Sequence, residues 1–308
     1  MECKAMDCIL QKLPERVAAA LERCQSVFQD SVTELILRAN RPVCMQAGAR
    51  RWYLTREGSL TDSPTAQGLL ITDQKELEAT VLRLCDYSVY ACQEQVNRGF
   101  ITIDGGVRVG LCGRAVLKHG EIANVADIST LSFRVAREVK GCSLTLLGML
   151  EPRDGVFVCG VPGSGKTTLI RDMARMLSYK YRVSLLDERG ELSAYHRGSF
   201  SFDIGFCDVY YAYPKGAAAV SAVRSMAPEI IVCDELGDRR DAEMLRYALR
   251  CGVSFIATAH ASTMDELRAR EMTAELLNTG AFRYVVFLGG REQAGRITRI
   301  YELNDGDI

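Results

Sequence analysis

The sequence predicts an α/β fold with a mainly parallel sheet in its second half, preceded by a smaller N-terminal α+β domain. Three observations predict it. Apolar runs at 156–159, 183–186, 230–233, 253–257 and 284–288 alternate with helical patterns, the arrangement of a parallel sheet with crossover helices. The runs are continuous and rich in Val and Ile, as strands buried on both faces are. A glycine-rich segment, Gly160 to Thr167, lies between the first run and a helical pattern, at the strand–helix junction where such sheets bind ligands.

The first 140 residues mix helices and short strands. Pro14 opens a helix whose apolar face includes Val17 and Leu21. A second helix is expected over 31–39 and is ended by Asn40-Arg41-Pro42, because the residue before proline avoids helical angles. Short strands follow near 43–46 and 51–55. Asp73 and Glu76 form the D-x-x-E signal of a capping box, and Leu77, Val81 and Leu84 recur at helical spacing behind it. A further helical segment carries Val89, Cys92 and Val96, and Gly99 ends it. Strands 100–103 and 107–111 flank Asp104-Gly105-Gly106 as a hairpin, with another short hairpin around 118–121. The texture changes between Ala126 and Leu150, giving domains at 1–140 and 141–308.

Composition bounds the function. The chain has 308 residues, 38 Lys+Arg against 39 Asp+Glu, 48% hydrophobic and 25% charged residues. That balance excludes a disordered or fibrous chain. It supplies no broad basic field, so direct nucleic-acid binding is not expected. The longest stretch without a charged residue, 251–264, is too short to span a bilayer. The N-terminus lacks the apolar core of a signal peptide, so a cytoplasmic protein is expected. The twelve cysteines form no C-x-x-C pair and read as reduced core residues. The histidines His119, His196 and His260 show no metal-ligand spacing.

The chemistry is concentrated in four segments. Gly160-Val161-Pro162-Gly163-Ser164-Gly165-Lys166-Thr167 matches G-x-x-x-x-G-K-[ST] in its strand–loop–helix setting, the phosphate-binding P-loop. Glycines let backbone N–H groups approach phosphate oxygens, and the following helix aims its positive end at the same anion. Lys166 would reach the β and γ phosphates of ATP. The Thr167 hydroxyl would ligate Mg²⁺, and Thr168 would meet the α phosphate. The run at 230–233 ends in Asp234-Glu235, where Asp234 would hold Mg²⁺ and Glu235 would orient or deprotonate water. The run at 183–186 ends in Asp187-Glu188-Arg189, and either acid could polarise water. Thr258-Ala259-His260 ends the next strand, where His260 could sense the γ phosphate. Arg134, Arg137, Arg189, Arg197 and Arg224 are candidates for a positive charge on that phosphate.

These residues together resemble the stage III sporulation protein AA family, itself similar to the ring ATPases of type II and type IV secretion. Glu34-Leu-Ile-Leu-Arg-Ala-Asn-Arg-Pro42 resembles that family's N-terminal signature. Gly105-Gly-Val-Arg-Val-Gly-Leu-Cys-Gly-Arg114 and Leu131-Ser-Phe-Arg-Val-Ala-Arg-Glu-Val-Lys-Gly141 resemble its middle ones. Leu186-Asp-Glu-Arg-Gly-Glu191, Val223-Arg-Ser-Met-Ala-Pro-Glu-Ile-Ile-Val-Cys-Asp-Glu-Leu236 and Thr258-Ala-His260 resemble its ATPase core. The likeness spans roughly residues 30–300. It places Asp187-Glu188 in an acidic box, His260 in a histidine box and Glu235 as the strand-end acid. Asp234 stands where many secretion ATPases have glycine, which leaves the division of labour among Asp187, Glu188 and Glu235 open. Arg134 and Arg137 resemble arginines that reach phosphate from the linker side. The resemblance implies a RecA-like P-loop core and a mother-cell cytoplasmic ATPase. It further implies a homohexameric ring, peripherally associated with membrane proteins of a channel to the forespore. Two other readings of the same residues stay open: a nucleic-acid-stimulated motor, and a nucleotide-dependent scaffold without turnover.

Overall fold

The computed structural model describes residues 5–24, 32–47, 50–135, 138–196 and 198–303. The chain divides into two compact units, one of residues 1–136 and 196–201, the other of residues 137–195 and 202–308.

The first unit is built on a seven-stranded antiparallel sheet. Its strands are β1 (Glu34–Arg38), β2 (Cys44–Ala47), β3 (Arg50–Leu54), β4 (Leu60–Thr61), β5 (Phe100–Ile103), β6 (Val107–Lys118) and β7 (Glu121–Arg134), in the order β4-β3-β2-β1-β7-β6-β5. Helices α1 (Ala5–Leu10), α2 (Glu15–Arg23), α3 (Gln74–Leu84) and α4 (Gln93–Asn97) complete it. Leu35, Leu37, Met45, Leu54, Leu77 and Phe133 are among its fully buried side chains.

One expectation is corrected here. Over the described residues 32–39 the expected helix is not formed. Residues 34–38 form β1, paired antiparallel with both β2 and β7. Its three consecutive apolar residues, Leu35 to Leu37, carry no helical period, and two flanking strands satisfy every backbone group a central strand presents. The helical segment around Val89 to Val96 begins as a 3₁₀ turn before α4. The two hairpins read around 100–111 and 118–121 belong to one sheet, because β6 and β7 run on into a long two-stranded ribbon that turns at His119 and Gly120, both at positive φ.

The capping box of α3 is formed. The Glu76 N–H donates to the Asp73 carboxylate and the Asp73 N–H donates to the Glu76 carboxylate, each at 2.9 Å. Asp73→Ala is therefore expected to lower the stability of the first unit by about 1 kcal/mol. The check is a urea melt, where the midpoint should fall with an unchanged slope.

The second unit is a seven-stranded sheet of β8 (Val156–Cys159), β9 (Val183–Asp187), β10 (Asp208–Tyr211), β11 (Ile230–Cys233), β12 (Ser254–Ala259), β13 (Tyr284–Leu288) and β14 (Ile297–Glu302). The order is β10-β9-β11-β12-β8-β13-β14, parallel throughout except for the antiparallel edge strand β14. Residues alternate between the faces. Phe157, Ile231 and Phe255 enter one buried cluster; Val156, Val158, Val232 and Ile256 enter another. Helix α5 (Lys166–Leu177) packs Leu169, Ile170 and Met173 into the second cluster. Helices α6 (Lys215–Ser225), α7 (Arg239–Arg250), α8 (Met264–Ala269) and α9 (Glu271–Leu277) contribute to the first. This two-sided burial makes the inner strands near-continuous apolar runs, and their parallel direction brings their C-terminal ends to one edge of the sheet. No helix among the described residues is long and apolar enough to cross a membrane.

Candidate functional site

The loop Gly160 to Gly165 joins β8, whose four residues are all buried, to the first turn of α5. Gly165 has φ +93°, and a Cβ there would lie 2.9 Å from the Gly295 nitrogen, so both strain and space demand glycine. Its left-handed conformation turns the chain into α5, whose first N–H groups have no intrahelical acceptor. Ser164 is fully buried and its hydroxyl has no hydrogen-bond partner among the described residues.

Lys166 is buried at the mouth of the loop. Its Nζ donates to the carbonyls of Gly160 (2.8 Å) and Val161 (3.1 Å) and lies 3.1 Å from His260 Nδ1. Burial pushes the Lys166 ammonium below its ordinary range, while Asp234, Cys159 and Glu235 act in the opposite direction. Thr167 is the next residue of α5. Its hydroxyl donates to Asp234 Oδ2 at 2.5 Å, and the other Asp234 oxygen accepts from the Thr258 hydroxyl. Thr168 is half-buried one residue further on.

Asp234 and Glu235 follow the buried strand β11. Glu235 sits at φ +53°, a conformation few non-glycine residues adopt. Three elements hold it there. Its N–H donates to Thr258 Oγ1 (2.8 Å), its carbonyl accepts from Lys215 Nζ (2.6 Å), and its carboxylate accepts from Arg189. His260 Nε2 lies 3.6 Å from the second carboxylate oxygen. Arg270 in turn donates to the His260 carbonyl at 2.7 Å.

Asp187, at the end of β9, is buried and its carboxylate is committed. It accepts from the Leu192 N–H (3.1 Å), the Ser193 N–H (2.8 Å) and the Ser193 hydroxyl (2.6 Å). Arg171, buried on α5, donates to the carbonyls of Leu192 (2.8 Å) and Glu191 (2.6 Å) and stacks 3.9 Å from the Phe202 ring. Burial drives its pKa down against the pull of Asp187. Together these two side chains hold the segment that follows β9. Glu188 is exposed, and it lines a cleft with Asp187, Arg189, Lys215, Asp234 and Glu235.

The structure therefore gathers Lys166 with His260, and Thr167 with Asp234 and Glu235 through Thr258, in two hydrogen-bonded sets that meet at the 3.6 Å His260–Glu235 contact, beside a cleft that holds Glu188 and Arg189. Arg134 lies in the first unit, at the end of β7, where its exposed side chain is 3.8 Å from Glu34. Arg224 is exposed on α6. Arg137 and Arg197 lie outside the described residues. Sequence reasoning missed Lys215, Arg171 and Arg270. Lys215 had a faint signal, since Pro214 marks it as the first residue of a helix. The other two had none, because only the fold brings them to this edge.

The donor set suits a magnesium-bound phosphate chain. The first N–H groups of α5 and the Lys166 ammonium could hold phosphate oxygens. The Thr167 hydroxyl and the Asp234 carboxylate are hard oxygen donors of the kind Mg²⁺ takes, few in number because phosphates and water supply the rest. Among the described residues no group of three His, Cys, Asp or Glu side chains could hold a metal alone.

A family model described as sporulation stage III, protein AA matches residues 4–307. The chain belongs to the stage III sporulation protein AA family. A curated relative of that name from Bacillus subtilis (strain 168) is 31% identical over 312 aligned positions, covering 98% of this chain and 97% of the relative. Among solved structures, the Legionella pneumophila ATPase DotB superposes with a TM-score of 0.54 at 16% identity, over 89% of this chain and 76% of that one. The pilus retraction motor PilT with bound ADP gives 0.53 at 13% identity, over 89% and 77%. At such identities the likeness establishes the fold alone: this family member has a RecA-like α/β core of the same fold as DotB and PilT, following a smaller N-terminal α+β part.

Proposed function

We propose that the chain is an Mg²⁺-dependent ATP hydrolase whose catalytic domain, 141–308, follows an accessory domain, 1–140. The observation that carries this reading is the Thr167–Asp234 contact at 2.5 Å beside the buried Lys166. It joins the first turn of α5 to the end of β11, where a phosphate loop and a metal-holding acid must meet.

In this mechanism the loop 160–165 and the first N–H groups of α5 bind the phosphate chain, and Lys166 neutralises its β and γ oxygens. Thr167 and Asp234 would hold Mg²⁺, which when bound would withdraw charge from the phosphates. Glu235 orients water and takes its proton. Its backbone is fixed from Thr258 and Lys215, so its carboxylate swings from a defined pivot. His260, within reach of both Lys166 and Glu235, reports the state of the γ phosphate. Asp187 and Arg171 position the segment that carries Glu188 and Arg189.

Membership in a sporulation family supports a role at the channel between mother cell and forespore. Likeness of fold to DotB and PilT supports a hexameric ring, cytoplasmic and peripheral to the membrane, that turns hydrolysis into closure between domains or subunits. The test is phosphate release from ATP by the purified full chain with Mg²⁺ and with EDTA, alongside light scattering. Release that needs Mg²⁺ in a nucleotide-assembled hexamer is expected. A chain that stays monomeric, or assembles and releases nothing, refutes the ring hydrolase.

A further inference from the structure

We propose that the turn 289–296, between β13 and β14, receives the ribose and base of the nucleotide, and that Arg291 contacts the base. This deepens the proposed ATP site and rests on it.

The sheet order sets the polarity of the site. β11 and β12, with Asp234 and His260 at their ends, lie on one side of β8. Lys166 and Thr167 both point to that side, through His260 Nδ1 and Asp234 Oδ2. The metal-bound terminal phosphates therefore belong there. A nucleotide anchored in the loop must leave its nucleoside on the opposite side, where β13 pairs with β8 and leads into the turn.

That turn is fastened to the loop. The Gly295 N–H donates to the Ser164 carbonyl at 2.8 Å, and Arg291 Nε donates to the Pro162 carbonyl at 3.1 Å. The Arg291 stem lies over Gly163, where a Cβ would meet its Cγ at 3.1 Å. Residues 290–296 are exposed but for this fastening. Arg291 has no carboxylate partner among the described residues, and its terminal nitrogens carry no hydrogen bond to them. An arginine unpaired by acid, held by Nε at the edge of an anion loop, offers a flat cation to stack on a purine and free donors for ribose oxygens.

The experiment compares two ligands by calorimetry on the full chain: a non-hydrolysable ATP analogue and inorganic tripolyphosphate, each with Mg²⁺. For Arg291→Ala, affinity for the analogue should fall about tenfold, the size of one desolvated cation–π contact. Affinity for tripolyphosphate should stay as in wild type. Equal losses for both ligands would place Arg291 on the phosphates, and no loss for either would remove it from the site; each overturns the proposal. Wild-type protein that binds tripolyphosphate as tightly as the analogue also overturns it. Wild-type protein that binds neither refutes the nucleotide site itself, a failure distinct from the other three.

Discussion

Glu235→Gln is expected to lower ATP turnover by about 10²–10⁴-fold, the range for loss of a positioned general base, while nucleotide affinity changes little. Besides Asp234, three acids stand at strand ends in this site, and their surroundings separate them. Asp187 has its oxygens committed to Leu192 and Ser193 and is sealed from solvent. A carboxylate whose oxygens are already taken up in this way braces the segment that follows β9. Glu188 is exposed and its carboxylate has no hydrogen bond or ion pair among the described residues. Glu235 alone combines a backbone held at φ +53° from two neighbouring elements with a carboxylate reachable from the cleft. Its partner Arg189 forms a largely exposed ion pair, with the arginine side chain 59% exposed, and such pairs contribute little and exchange readily. The carboxylate can therefore leave it for water when nucleotide is present. Glutamine keeps the shape and removes the base. Turnover and fluorescent-nucleotide binding, measured side by side, check this. Turnover within threefold of wild type would assign water activation elsewhere. Asp187→Asn should differ in kind, lowering stability in a denaturant melt as well as activity.

The inner strands of the second unit are legible in the sequence because burial on both faces forces uninterrupted apolar runs, and each of the five is present within two residues of its expected place. The glycine-rich loop between β8 and α5 is legible because backbone geometry at Gly165 admits few residue types. What escapes the sequence is set by distance or by edges. Asp208–Tyr211 and Ile297–Glu302 are partly exposed edge strands with mixed patterns, so no periodicity separates them from loop. Residues 34–38 read as helix because three apolar neighbours fit either element, and only pairing with β2 and β7 decides. Thr167 and Asp234 are legible separately, but the 2.5 Å between them is not, since they stand 67 positions apart in the chain. Arg171 looks like a surface residue of an amphipathic helix. It is buried because carbonyls from the segment after β9 arrive to receive it.

Asp172→Ala is expected to destabilise the second unit by about 3 kcal/mol, the lower end for breaking a buried, hydrogen-bonded ion pair, and to lower its melting temperature by roughly 10 °C. Asp172 is on α5, two turns below the phosphate loop, and almost fully buried. It accepts from the Gly141 N–H (3.0 Å), the Ser143 N–H (2.8 Å), the Ser143 hydroxyl (2.7 Å) and Arg175 (2.7 Å). The helix that presents Lys166 and Thr167 is thereby pinned to the chain entering the second unit. Removing the carboxylate strands two backbone donors, a hydroxyl and a guanidinium, and alanine returns nothing to them. Burial raises the Asp172 pKa, but the hydrogen bonds from Ser143, Arg175 and Gly141 outweigh it and hold the group below its ordinary 3.8. The sign of the pH dependence follows. A depressed folded-state pKa contributes stability above the unfolded value and loses it as pH falls through the folded one. The gap in denaturant midpoint between wild type and Asp172→Asn, which mimics the protonated acid, should be constant from about pH 8 to pH 5 and narrow below about pH 4. A gap that widens on acidification would mean that the carboxylate is held in its neutral form, and the brace beneath the phosphate loop would then be a different one.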